Sequence, residues 1–132
     1  MYFKKIIFSC ILLLCLSAFA VVIIKPMQFT SNAKPLVLTA ENPEITITLP
    51  SNPTTGFTWS IQKYDTNLLK LVLQRYTPPN SRLMGAPGIQ QYTFQAIQTG
   101  YSVTQVGHVV LQYARQWTTV GATQKVFIIH VK

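Results

Sequence analysis

Glu44-Ile45-Thr46-Ile47-Thr48-Leu49-Pro50-Ser51-Asn52-Pro53-Thr54-Thr55-Gly56-Phe57-Thr58-Trp59-Ser60-Ile61 carries two runs of alternating apolar and polar residues, joined by a turn. Ile45, Ile47 and Leu49 recur with period two against Thr46 and Thr48, and Phe57, Trp59 and Ile61 do so against Thr58 and Ser60. Each run is a strand with one buried face and one wet face. Between them Pro53 fixes its own φ, Gly56 is free to take a positive φ, and Thr54 and Thr55 fall at the tip. Such a turn is stiff and presents small side chains and backbone groups outward.

The same period extends along the chain. Leu36 and Leu38 form a short first strand, and Leu69, Leu71 and Leu73 alternate with Lys70, Val72 and Gln74. Tyr92, Phe94 and Ala96 open another strand, Val109, Leu111 and Tyr113 the next, and Phe127, Ile129 and Val131 the last. A Pro-, Asn- and Gly-rich connection runs from Thr77 to Gly88, near the upper length for a structureless loop and therefore a candidate for function. Seven short strands without an amphipathic helix predict an all-β, immunoglobulin-like antiparallel β-sandwich. The 132 residues suit one core.

Ahead of that domain, Lys4 and Lys5 precede an uncharged apolar run, and Ser17-Ala18-Phe19-Ala20 offers small residues where a signal peptidase reads. Residues 1–20 are therefore expected to be a cleaved signal peptide. The apolar run continues to Ile24, so an uncleaved anchor is the alternative. Either way the lysines stay cytoplasmic and the remainder is exported, periplasmic or secreted. Residues 21–34, with Pro26, Thr30, Ser31, Asn32 and Pro35 nearby, read as a linker, and residues 35–132 as the folded domain. Cys10 and Cys15, the two cysteines of the chain, both lie in the signal segment, so no disulfide or thiol site is expected downstream.

Charge is sparse and one-sided, with 11 Lys and Arg against three acids, Glu41, Glu44 and Asp65. The cations are scattered singly, without the basic stripe and interleaved aromatics that phosphate tracking requires, so nucleic acid is not an expected partner. The acid–base supply is also poor. His108, His130, Glu41, Glu44 and Asp65 are spread along the sequence, and no nucleophile elbow, His-Glu-x-x-His or phosphate-cradling glycine loop accompanies them. No enzyme activity, cofactor or metal is expected. Trp117 has the context of a binding residue instead, because it follows the end of an apolar alternation and lies among Arg115, Gln116, Thr118 and Thr119. Trp59, in phase with Phe57 and Ile61, belongs to the core.

Taken together, Asn52-Pro53-Thr54-Thr55-Gly56-Phe57, Gly85-Ala86-Pro87-Gly88 and Arg115-Gln116-Trp117 resemble, in order and spacing, the three loops of the chagasin-type inhibitors of papain-like cysteine peptidases. The first loop matches the family's Asn-Pro-Thr-Thr-Gly-aromatic motif residue for residue. The second departs from the usual Gly-x-Gly-Gly, since Pro87 lacks an amide donor. The third has Gln116 where Arg-Pro-Trp is common. The resemblance implies a monomeric, reversible and competitive inhibitor whose three loops form a wedge that enters the peptidase cleft. In that reading Thr54 and Thr55 lie across the catalytic Cys and His, Gly85 to Gly88 pair with the substrate-binding backbone, and Trp117 stacks on an aromatic wall with Arg115 in support. An exported adhesion or carbohydrate-binding module on the same sandwich is the alternative, because the fold hosts many functions.

Overall fold

The computed structural model describes residues 27–132, so the expected signal segment lies outside the described residues. Eight strands form two four-stranded sheets: β1 (Met27–Phe29), β2 (Leu36–Leu38), β3 (Glu44–Ser51), β4 (Phe57–Tyr64), β5 (Leu69–Thr77), β6 (Gly88–Ala96), β7 (Gln105–Arg115) and β8 (Thr118–Val131). The first sheet has the order β1-β3-β6-β5 and the second β2-β8-β7-β4. Their inner faces meet in one core of Ile45, Ile47, Leu49, Trp59, Tyr92, Phe94, Leu111, Phe127 and Ile129 with their neighbours, so these alternating positions do point inward.

Several details differ from the sequence expectation. The sandwich has eight strands rather than seven, and it is mixed rather than wholly antiparallel. β1 runs parallel to β3 and β2 parallel to β8, each at a sheet edge. Met27–Phe29 falls in the stretch read as linker; Phe29 packs against the core, which gives this short segment a reason to pair.

Leu73 does not follow Leu69 and Leu71 inward. Leu71 pairs with the core-facing Phe94, but a bulge at Val72 places Leu73 opposite Thr93, which lies on the other face of the sheet from Phe94, its buried hydroxyl bonding that of Thr46 at 2.8 Å. One extra residue therefore flips the phase and leaves Leu73 exposed. The last hairpin is also much longer than its apolar residues suggest. β7 begins at Gln105 and β8 already at Thr118, because the polar stretch before Phe127 is held by ladder bonds and not by burial.

The register decides where the connections lie. Ser51 pairs with Gly88, Thr77 with Ile89, Phe57 with Arg115, and Arg115 with Thr118. The β3–β4, β5–β6 and β7–β8 connections consequently emerge together at one pole of the sandwich. Met27, paired with Ile45, enters at the other pole, where the chain also ends next to Leu38.

Candidate functional site

The β3–β4 connection is a single 3-10 turn, Pro53–Thr55, with proline at its start and Gly56 closing it at φ 80°. Gly56 has the left-handed conformation that a non-glycine residue adopts only with strain, as its place in the sequence predicts. The turn is built by its own polar groups. Thr55 Oγ1 donates to the Asn52 carbonyl at 2.7 Å, the Thr54 hydroxyl donates to Asn52 Oδ1, and the Thr55 amide closes on the Asn52 carbonyl at 3.1 Å. Pro53, Thr54 and Thr55 are exposed.

Asn52 also reaches outside its turn. Its Nδ2 donates to the Gly85 carbonyl at 2.8 Å, tying the first connection to the β5–β6 loop. Its amide donates to the hydroxyl of Tyr113 on β7 at 3.1 Å. The β7–β8 hairpin approaches from the opposite flank. Arg115 Nε donates to the Thr55 carbonyl at 3.4 Å, and its guanidinium lies 4.5 Å from the Phe57 ring centre. The Trp117 ring lies over the turn, since a Cβ on Gly56 would stand only 3.3 Å from Trp117 Cη2. Gly85, Asn52 to Gly56, and Arg115 to Trp117 thus form one contiguous ridge.

Beneath the ridge the aromatic core is continuous with it. Phe57 and Tyr113 stack at 5.4 Å and Tyr113 and Trp59 at 5.0 Å between ring centres. Trp59 Nε1 donates to the Pro50 carbonyl at 2.8 Å, and the Tyr92 hydroxyl donates to the Trp59 carbonyl at 2.8 Å. Burial pushes the Tyr92 hydroxyl pKa up to about 12, because the phenolate would be stranded away from water. Trp59 is 8% exposed and Trp117 75%, so the two tryptophans divide as their sequence contexts indicate.

Gly88 belongs elsewhere than the ridge. It is buried as the first residue of β6, and a Cβ there would collide with the Tyr76 hydroxyl and fall 2.5 Å from the Thr77 carbonyl. Its role is to let β5 and β6 close together. Gly85, at φ 81°, turns the loop, and Ala86 and Pro87 lead from it into β6. Gln116 and Trp117 are the two tip residues of the hairpin. Gln116 has a negative φ, as proline would, so the departure from Arg-Pro-Trp leaves this turn accessible.

Sequence reading did not identify Tyr113, whose hydroxyl supports the turn from 61 residues away. It also missed Leu83 and Met84, which are 77% and 101% exposed beside Gly85. Two adjacent apolar residues in a Pro- and Gly-rich loop were the available signal.

Asp65 and His108, apart in the sequence, do meet. Asp65 Oδ2 accepts the His108 amide at 2.6 Å and lies 3.6 Å from its Nδ1. That pair sits at the pole away from the ridge, exposed. Among the described residues no three of His, Cys, Asp and Glu gather as a metal-binding group.

Comparison with known proteins shows the family. The family described as Chagasin family peptidase inhibitor I42 matches residues 39–131. The chain belongs to the chagasin family of peptidase inhibitors. Chagasin of Trypanosoma cruzi is 32% identical over 92 residues, covering 67% of this chain and 79% of that protein. The crystal structure of the cysteine protease inhibitor EhICP2 from Entamoeba histolytica superposes with a TM-score of 0.61 at 22% identity, over 80% of this chain and 95% of that one. The solution structure of amebosin does so with a TM-score of 0.56 at 23% identity, over 82% and 99%. This chagasin-family chain is accordingly a peptidase inhibitor and not an enzyme.

Proposed function

We propose that this protein inhibits papain-like cysteine peptidases reversibly and competitively, by seating the ridge in the active-site cleft. The observation that carries the reading is the convergence of three sequence-distant loops into one exposed, internally hydrogen-bonded ridge. Pro53 to Thr55 would cross the catalytic centre, where a closed 3-10 turn offers no extended peptide for cleavage. Trp117 would meet one wall of the cleft, and Leu83 and Met84 would supply apolar contact on the other flank. The ridge is ordered before it binds, so little loop entropy remains to be lost on association. Export of the domain fits the apolar run at residues 6–24, and action as a monomer belongs to the same proposal.

Titrating papain with the purified protein tests it directly. Inhibition that substrate relieves, with full activity regained on dilution, is the expected result. Failure to inhibit papain or related enzymes at micromolar protein, or inhibition that persists on dilution because a covalent adduct has formed, would overturn the reading.

A further inference from the structure

Met84, in the β5–β6 loop, is fully exposed. It is not a frayed position. The Leu83 amide donates to Ser81 Oγ at 3.1 Å, the Ala86 amide to the Leu83 carbonyl at 3.3 Å, and Asn52 Nδ2 to the Gly85 carbonyl at 2.8 Å. These bonds hold the two residues on either side of Met84, so its thioether is presented to solvent with nothing packed over it. Met27, the other methionine among the described residues, is only 38% exposed and lies in β1 towards the opposite pole.

We propose that Met84 is an oxidation site that switches inhibition off. This inference rests on the inhibitory reading above. A peroxide is the oxidant: the thioether sulfur gives an electron pair to one peroxide oxygen, an S–O bond forms, the O–O bond breaks, and water leaves. Sulfur is oxidised by two electrons and the peroxide is reduced by two. The product sulfoxide is polar and chiral where an apolar, flexible side chain had been. In the free protein its oxygen stays in water, and seating the loop against the peptidase strips that water from a side chain whose apolar contact it has replaced. The modification therefore weakens binding and leaves folding alone.

The test treats the full chain with dilute hydrogen peroxide, removes the oxidant with catalase, and locates the added oxygen by peptide mass mapping. Inhibition of papain is then titrated. Sulfoxide at Met84 should weaken inhibition by about tenfold or more, from the cost of an unpaired buried polar group, with the thermal midpoint unchanged. Methionine sulfoxide reductase should restore it. Met84→Leu, which keeps an apolar side chain of similar size, should inhibit equally before and after peroxide treatment, whatever its starting affinity. Unchanged inhibition by protein carrying the sulfoxide overturns the proposal, and so does equal loss in Met84→Leu, which would place the damage at another residue such as Trp117. If the untreated protein does not inhibit papain at all, the inhibitory reading itself fails and this inference falls with it.

Discussion

Truncating each tryptophan to alanine separates what holds the fold from what meets a partner. Trp59 is buried beneath the ridge, stacks on Tyr113 and donates to the Pro50 carbonyl. Removing its indole opens a core cavity, worth about 3–5 kcal/mol of stability. It also strands the Pro50 carbonyl, which adds about 1 kcal/mol where water does not reach it. Against a total stability of about 5–15 kcal/mol for a domain, this loss brings Trp59→Ala close to unfolding at ambient temperature. For a chain of this length, with about 3–5 °C of midpoint per kcal/mol, the melting temperature should fall by 10 °C or more. Trp117 is 75% exposed, so its truncation should shift stability by less than about 0.5 kcal/mol. Inhibition should respond in the opposite sense: Trp117→Ala should lose about 2 kcal/mol of affinity, near thirtyfold, if the ring becomes desolvated against the peptidase wall. Circular dichroism melts and papain titrations on both variants read out the two quantities. If Trp117→Ala unfolds the protein while Trp59→Ala stays folded, the assignment of strand phase is wrong and the ridge has no aromatic contact to offer.

Other substitutions probe single contacts. Tyr113→Phe deletes the acceptor of the Asn52 amide, so urea melts should show about 1 kcal/mol less stability, and papain titration a severalfold weaker inhibitor. Unchanged values for both would show that water replaces the hydroxyl without consequence. Gly88→Val must push Tyr76 and the Thr77 backbone apart, and its expected loss of cooperative unfolding is visible by calorimetry. A two-state melt near the parental midpoint would contradict the close β5–β6 approach. The raised pKa of Tyr92 also sets a pH limit. The unfolded hydroxyl ionises near 10 and the folded one near 12, so the contribution of Tyr92 is complete below about pH 10 and is lost as pH rises towards 12. Tyr92→Phe, weaker at neutral pH through loss of the bond to the Trp59 carbonyl, should lack that part of the alkaline decline in equilibrium unfolding. A decline identical to that of the parent would refute the assignment.

The sandwich was legible because its determinants are local. Ile45 to Leu49 and Phe57 to Ile61 alternate with the strand period, and each keeps its phase in the structure. Leu73 was not legible, since the bulge at Val72 depends on the partner strand and leaves no mark in β5 itself. The early start of β8 escaped for a related reason. Thr118 to Lys125 bury little, and their strand conformation comes from pairing with β7, a backbone effect that side-chain patterning does not record. The parallel edge pairs β1–β3 and β2–β8 are likewise decided by where short segments find open ladder groups.

The candidate site divides along the same line. Pro53 and Gly56 announce a shaped turn because their conformational limits are intrinsic, and Gly56 does take the left-handed φ. The bonds that join the turn to its neighbours are not intrinsic to any segment. Asn52 meets Gly85 across 33 residues and Tyr113 across 61, and Arg115 meets Thr55 across 60. Those non-local bonds also explain how the departures at Pro87 and Gln116 fit the ridge. Pro87 gives up an amide, yet the clamp on this loop uses the Gly85 carbonyl, and the turn before it uses the Ala86 amide. Gln116 occupies the first tip position of a hairpin whose contacts to the turn come from Arg115 and Trp117 on either side of it. Both changes spare the atoms that tie the loops together, so their effect should fall on contacts with the peptidase rather than on the shape presented to it. Restoring the amide with Pro87→Gly would separate the two: inhibition should strengthen with the Asn52 clamp intact, and a drop in thermal stability together with weaker inhibition would mean that Pro87 shapes the loop itself.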